Sequence, residues 1–484
     1  MILLALLAAP FAAGVLSGLA RKRTQMEAIN LAGFVATFLI AIAIAAEVLR
    51  AGSVSLWAGF LYADALSALM MLLNSAVALI CSVYAVGYLR DGHVDDLGYL
   101  RKYYVLTPLF VCAMMLVAMA SSLGVMWAAI ELTTLASVFL VTFYGKATSL
   151  EAAWKYAIIG SVGLSMALFG TIVTYYAGHK LPGADGIAGL SWFNLAQQAA
   201  LLDKTSMRMA FVLALLGYGT KAGLAPMHTW KPDVYSEAPV PTAAILSTAM
   251  LNCAVYGLIR FYILTSRCLG PEYPGGLLLL LGIFSMGIAV PFVLVQRNLR
   301  RMLAYSTIDQ AGIMVAALGI GGKVASIALM LHMTFHSAAK PLLFFCAGNI
   351  GQRFKTDLFR NLKGGIIGVM PITGTALFLG TLAIVGLPPL SLFQSEFLMV
   401  GAAFGGGHML AGGLFILFGI GLFAGMVLHV NNLVLGPSEG EAAPFFPWRD
   451  GAIAALSAVL VVIGFWLPGP LLELIRRAAV VVAG

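Results

Sequence analysis

The chain has 484 residues, 61% of them hydrophobic and 10% charged, with a net charge of +8. Soluble domains carry about 25% charged residues, so this composition excludes a soluble globular enzyme and a separate soluble domain. The positive balance calls for no nucleic-acid partner, because Lys and Arg set membrane topology and meet anionic headgroups of the lipid bilayer.

The apolar run from Met1 to Ala20 is followed, not preceded, by the basic cluster Arg21-Lys22-Arg23. That order predicts a first transmembrane helix with its N-terminus outside rather than a cleaved signal. Apolar stretches of about 20 residues mark the spans. They predict helices near 2–20, 28–49, 63–89, 103–120, 122–143, 152–177, 207–225, 242–264, 276–296, 303–320, 323–349, 366–386 continuing after a break to 405, 409–434 and 450–470. The fold class is all-α: a polytopic membrane protein of about fourteen spans. Thr148-x-x-Glu151 reads as a capping box opening the sixth. The loop 178–206, with Pro182-Gly183 and an amphipathic piece from Trp192 to Leu202, lies outside. Arg21, Lys22, Arg23, Arg297, Arg300, Arg301, Lys355, Lys363 and the loop residue Lys231 fall on the inside, which puts both termini outside. Glu47, Asp64 and Asp309 sit near span ends and read as rim or interface positions. The cysteines, Cys81, Cys112, Cys253, Cys268 and Cys346, form no Cys-x-x-Cys pair, which argues against a metal site or a disulfide framework.

The seventh span runs from the apolar stretch Met207–Leu216 into Gly217-Tyr-Gly-Thr-Lys221-Ala-Gly-Leu-Ala-Pro226-Met-His-Thr-Trp230-Lys-Pro-Asp233, which predicts Lys221 well inside a membrane-length helix. A lysine at the bilayer centre costs about 2.5–3.5 kcal/mol on insertion scales. Pro226 removes a helix hydrogen bond close to that charge. Interrupted helices at membrane depth are tolerated where they are buried in protein or line a watery cavity. The twelfth span breaks likewise at Val385-Gly-Leu-Pro388-Pro389-Leu. Paired breaks predict two inverted five-helix repeats, spans 4–8 and 9–13, with helices 7 and 12 broken. The chain then divides into 1–102, an N-terminal set of three helices; 103–264 and 276–434, the two repeats; and 450–484, the C-terminal helix.

Glu131, near the middle of the fifth span, needs a partner or a proton, and Lys221 is its candidate; a static ion pair competes with a proton-loading switch. His332, His336 and Lys340 recur at i, i+4 and i+8 and share one helix face. A proton relay is the first reading of that face, zinc binding and plain packing the others. Glu396, just past the second break, reads as an exit group or as a carboxyl at an aqueous rim.

Two stretches carry a family resemblance: Lys221-Ala-Gly-Leu-Ala-Pro-Met-His-Thr-Trp-Lys-Pro-Asp-Val-Tyr-Ser-Glu-Ala-Pro239 and Arg300-Arg-Met-Leu-Ala-Tyr-Ser-Thr-Ile308. From about Tyr103 to Val434 the chain resembles the antiporter-like proton-channel subunits of the complex I superfamily. These include large membrane subunits of NADH–quinone oxidoreductase, Mrp-type antiporters and group 4 membrane-bound hydrogenases. Gly217-Tyr-Gly-Thr-Lys-Ala-Gly-Leu-Ala-Pro226 with Leu251-Asn252-Cys253-Ala254 is most similar to the hydrogenase-4 component F branch. The resemblance implies a proton path through Glu131, Lys221, Asn252, His332, His336, Lys340 and Glu396. Asn252 stands where many relatives place a lysine or histidine, and it cannot titrate. Lys231 stands where the usual wording is Trp-Leu-Pro-Asp.

The expected function is that of a proton-translocating subunit of a redox-driven complex, of the membrane-bound hydrogenase, formate-hydrogenlyase or NADH–quinone oxidoreductase type. No cofactor motif is present, so electrons move in partner subunits: further membrane subunits and, through them, a peripheral redox arm. The alternatives are an Mrp-like cation/proton antiporter subunit and the membrane partner of a proton-driven inorganic-carbon uptake system. The expected location is a bacterial or archaeal cytoplasmic membrane.

Overall fold

Apolar runs fold as helices here because a bilayer offers no partner for backbone N–H and C=O groups, and a helix satisfies them within one segment. The computed structural model describes residues 1–92, 94, 96–179, 181, 189–362, 364–438 and 441–483. It opens with α1 (Ile2–Leu19), α2 (Arg23–Ala51), a hairpin of β1 (Val54–Leu56) and β2 (Leu61–Ala63), α3 (Ala65–Asp91), α4 (Leu97–Met119), α5 (Leu123–Val141) and α6 (Ala147–Gly178). Then come α7 (Trp192–Gln197), α8 (Lys204–Ala222), α9 (Trp230–Glu237), α10 (Val240–Ile245) and α11 (Leu251–Leu269). A π-helical turn, Leu246–Met250, joins the last two. The remainder is α12 (Glu272–Leu294), α13 (Leu299–Ile320), α14 (Gly322–Phe354), α15 (Ile366–Val369), α16 (Pro371–Ile384), α17 (Ser391–Gly405), α18 (Met409–Val434), α19 (Pro447–Phe465) and α20 (Gly469–Ala483).

Eleven helices among the described residues are long and apolar enough to cross a membrane, with Val240–Leu269 counted as one. They coincide with eleven of the predicted spans. The predicted seventh, eleventh and twelfth spans are α8, α14 and the pair α16–α17, which are less apolar or too short. α8 carries Lys221, α14 carries His332, His336 and Lys340, and α16–α17 is one helix cut in two. Large apolar side chains such as Trp154, Ile158 and Val162 of α6 and Leu417 and Ile420 of α18 are exposed at helical spacing, as a lipid-facing wall requires. By contrast the most apolar stretch of Val240–Leu269 is wholly buried, and that of α13 is 94% buried. Polar groups collect in this inner layer.

Several expectations need correction. The all-α fold class holds; its one local exception among the described residues is a short hairpin that the sequence did not signal, in which Val54 pairs with Ala63 and Leu56 with Leu61. The predicted spans also miss α20. Thr148 and Glu151 form no capping box: α6 starts at Ala147 without a side-chain cap, Thr148 donates to Glu237 at 2.9 Å, and Glu151 pairs with Lys155 at 2.7 Å. The seventh helix stops at Ala222, so Lys221 occupies its last turn rather than its middle. Gly223 takes the left-handed conformation at φ +70° and ends it. Lys231 is no loop charge; it is fully buried and leaves the topology count. Lys363 and Pro182-Gly183 lie outside the described residues.

Asp64 and Asp309 are not rim residues. Asp64 caps α3 through the Ser67 N–H at 2.9 Å and takes a bidentate pair from Arg260, at 2.8 Å to each oxygen, in a buried setting. Asp309 is buried well inside α13, because that helix begins at Leu299, four residues before the expected start. Glu47 does sit at an exposed end, paired with Arg50 at 3.1 Å.

Candidate functional site

The inner layer holds two clusters of buried polar groups. The first is built by α5, α6 and α8. Lys221 Nζ donates to Thr134 Oγ1 and to Tyr156 Oη, each at 2.7 Å, and sits 4.9 Å from the Tyr156 ring centre. Tyr156 Oη lies 2.9 Å from Ser137 Oγ, and the Trp230 ring stacks on Tyr156 at 4.6 Å. The last turn of α8 suits a cation, since the helix dipole places partial negative charge there.

Glu131 does not pair with Lys221. Its Oε1 accepts from Ser161 of α6 at 3.2 Å, and its Oε2 is buried without a partner. Thr134 lies one turn further along α5 and takes the contact that Glu131 was expected to make. The two charges remain within electrostatic reach.

The second cluster is built by α13, α14, α16 and α17. Lys340 Nζ donates to the Leu303 carbonyl at 2.9 Å and to Ser306 Oγ. His332 Nδ1 meets Ser395 Oγ at 3.0 Å, while both ring nitrogens of His336 are buried without a partner. The imidazoles of His332 and His336 lie 6.4 Å apart, nearly parallel. Asp309 Oδ2 accepts from Gln310 at 3.2 Å, its Oδ1 has no partner, and Gln310 also donates to the Ile384 carbonyl beside the break at 3.3 Å. Lys340 and Glu396 are both within electrostatic reach of Asp309. Glu396 folds back onto that break, where a Cβ on Gly386 would come 2.1 Å from its Oε2.

Asn252 lies beside these clusters. Its Nδ2 donates to Asn74 Oδ1 at 3.3 Å and to Ser337 Oγ at 3.1 Å. It lies two residues past the π-turn, and such turns recur at functional positions.

Between the clusters runs α9, which packs on α6 and on α13. Asp233 fixes it from both sides, accepting from Lys155 of α6 at 3.1 Å and from Arg301 of α13 at 2.7 Å. Trp230 Nε1 donates to the Thr220 carbonyl at 3.0 Å. Lys231 points into the interior with no acceptor for its amine.

The structure therefore brings together Lys221 with its hydroxyl partners, and His332, His336, Lys340 and Glu396 with Asp309. The sequence reading missed Thr134, Tyr156, Asp309 and Lys231. Signals for the last two were present: a carboxylate inside the apolar tenth span, and a lysine where Trp-Leu-Pro-Asp is usual.

Residues 120–422 match the transmembrane family of NADH:quinone oxidoreductase and Mrp antiporter proteins. The chain is 35% identical over 428 residues to a hydrogenase-4 component F homolog of Methylacidiphilum infernorum, covering 87% of this chain and 88% of that one. A chain of the membrane-bound sulfane sulfur reductase, an archaeal respiratory membrane complex, superposes with a TM-score of 0.88 at 23% identity, over 100% of this chain and 97% of that one. A chain of respiratory complex I from Thermus thermophilus with bound aureothin does so with a TM-score of 0.75 at 26% identity, over 96% and 97%.

Proposed function

Because the chain belongs to the NADH:quinone oxidoreductase/Mrp antiporter transmembrane family, we propose that it is the proton-translocating subunit of a redox-driven membrane complex, of the membrane-bound hydrogenase or formate-hydrogenlyase kind. The choice of complex rests on the hydrogenase-4 component F homolog, which is matched over nearly the full length of both chains.

The observation that carries the reading is the setting of two of the buried lysines, Lys221 and Lys340. Lys221 and Lys340 each present the amine to neutral oxygens, not to a fixed carboxylate. A carboxylate in contact would favour the charged form strongly. Hydroxyls hold the amine in place and leave its charge to be set by groups further off, Glu131 for Lys221 and Asp309 for Lys340. Such a site can load and release a proton. The path we propose enters by Glu131 and Lys221, runs beside Asn252, whose amide orients water without taking up a proton, reaches the His332–His336–Lys340 face, and leaves by Glu396, with the breaks at Pro226 and at Pro388-Pro389 opening the helices to water.

In the same reading the fourteen predicted helices all span the membrane, and helices 4–8 and 9–13 form the inverted repeats, residues 103–264 and 276–434. Both termini face outward from a bacterial or archaeal cytoplasmic membrane. Purification of the chain from native membranes tests the assignment. Co-purification of a nickel–iron large subunit, with donor-driven proton uptake in inverted vesicles, supports it. Mrp-type small subunits with sodium/proton exchange in the absence of any electron donor contradict it and favour an antiporter; a zinc-binding soluble partner contradicts it and favours carbon uptake.

A further inference from the structure

Among the described residues three buried lysines, Lys221, Lys231 and Lys340, face the interior, and one differs from the others. Lys221 and Lys340 each have two hydrogen-bond acceptors, whereas the Lys231 amine has none and is fully buried. Buried polar groups are nearly always hydrogen-bonded, and an orphan points to strain, to water or to a working role.

The place of Lys231 supports the last. Its side chain crosses the first helix break: a Cβ on Gly223 would fall 2.3 Å from Lys231 Cε and 2.9 Å from Nζ. Gly223 is two residues beyond Lys221. On the other side, His336 and Lys340 are within electrostatic reach of Lys231, as is His228. The backbone of α9 is held by Asp233 and Trp230, so the freedom left to Lys231 is that of its four-carbon stem. The second break has the same construction. There Gly386, at φ +68°, lies under Glu396 as Gly223, at φ +70°, lies under Lys231. Each break thus pairs a left-handed glycine with an ionisable side chain from the helix that follows. Asn252 cannot serve as a carrier: an amide does not titrate, and its Nδ2 is engaged by Asn74 and Ser337.

We propose that Lys231 carries the proton between the two clusters, supplying in the connection after the seventh helix the titratable group that the eighth lacks at Asn252. The proposal rests on the proton-translocating function above. In each transfer one N–H bond breaks and another forms. The Lys221 ammonium gives its proton to the Lys231 amine, and the Lys231 ammonium gives it to a neutral His336.

The test measures protons taken up per electron transferred in vesicles holding the intact complex, with subunit content checked on gels. Wild type is measured first; absence of uptake there would overturn the proposed function and this inference with it. With wild-type uptake established, Lys231→Met and Lys231→Arg are both expected to lose uptake while retaining assembly. Arginine keeps a positive charge and a long side chain but does not release its proton. Lys231→Gln replaces the methionine variant if that one fails to assemble. A wild-type ratio in the neutral variant would overturn the role. Recovery by arginine would also overturn it, because charge or packing alone would then suffice.

Discussion

Thr134 accepts a hydrogen bond from Lys221 at 2.7 Å, while Glu131, one turn back on the same helix, accepts from Ser161. The carboxylate acts on the lysine through its field and the hydroxyl through contact. Thr134→Val should therefore cost stability, about 1–3 kcal/mol, because a buried amine loses one of its two acceptors. Glu131→Gln should leave stability nearly unchanged and slow proton uptake. Thermal melting of the purified complex, read beside vesicle uptake, separates the two effects. Equal destabilisation by both substitutions would mean that Glu131 holds Lys221 directly.

The glycines at the breaks make a second pair of expectations. Gly223→Ala and Gly386→Ala each force an alanine into the left-handed region, at a cost of about 1–2 kcal/mol. Each also drives a Cβ into an ionisable side chain, Lys231 in one case and Glu396 in the other. Both variants should lose proton uptake. Gly413→Ala, whose Cβ would meet nothing within 4 Å, should retain it and serves as control. Normal uptake in both break variants would show that these contacts are dispensable.

Much of this site could be read from the chain itself. Lys221, His332, His336 and Lys340 stand out because charge and imidazole are rare inside long apolar runs. Pro226 and Pro388-Pro389 mark the breaks because proline cannot continue a helix ladder. What could not be read depends on how helices are rotated and folded back. A one-turn difference along α5 decides whether Glu131 or Thr134 meets Lys221. The stretch from Trp230 to Glu237 is polar enough to pass for a solvated loop, and only its docking on α6 and α13 buries Lys231. Asp309 reads as a rim residue because the apolar run predicts a start near 303, whereas α13 begins at Leu299, and α20 is too polar on one face to register as a span.

The Asp64–Arg260 pair offers a stability test away from the proposed path. Its two hydrogen bonds are buried, and Arg260 also stacks on Trp192 at 3.7 Å. Removing one partner of a buried pair costs about 3–5 kcal/mol, because the other charge is left uncompensated. Asp64→Asn should lower the melting temperature of the complex markedly, and Asp64→Asn with Arg260→Met should recover part of the loss. An unchanged melting temperature in the single variant would show the pair to be solvated.

Topology has its own check. Lys355 is exposed just after α14, in a segment that the positive-inside rule assigns to the inner face. Lys355→Cys in a cysteine-free background should resist a membrane-impermeant thiol reagent in intact cells and react in inverted vesicles. Labelling in intact cells would reverse the orientation.

The central claim is that protons cross through the hydroxyl- and carbonyl-bound lysines Lys221 and Lys340. The most direct measurement is the number of protons taken up per electron in vesicles bearing Lys221→Met or Lys340→Met. Each variant removes a buried amine and leaves neutral partners, so insertion and assembly should survive. Electron transfer should continue while proton uptake per electron falls in both. Unchanged proton-to-electron ratios in the two variants would contradict the claim and leave Lys221 and Lys340 as structural groups.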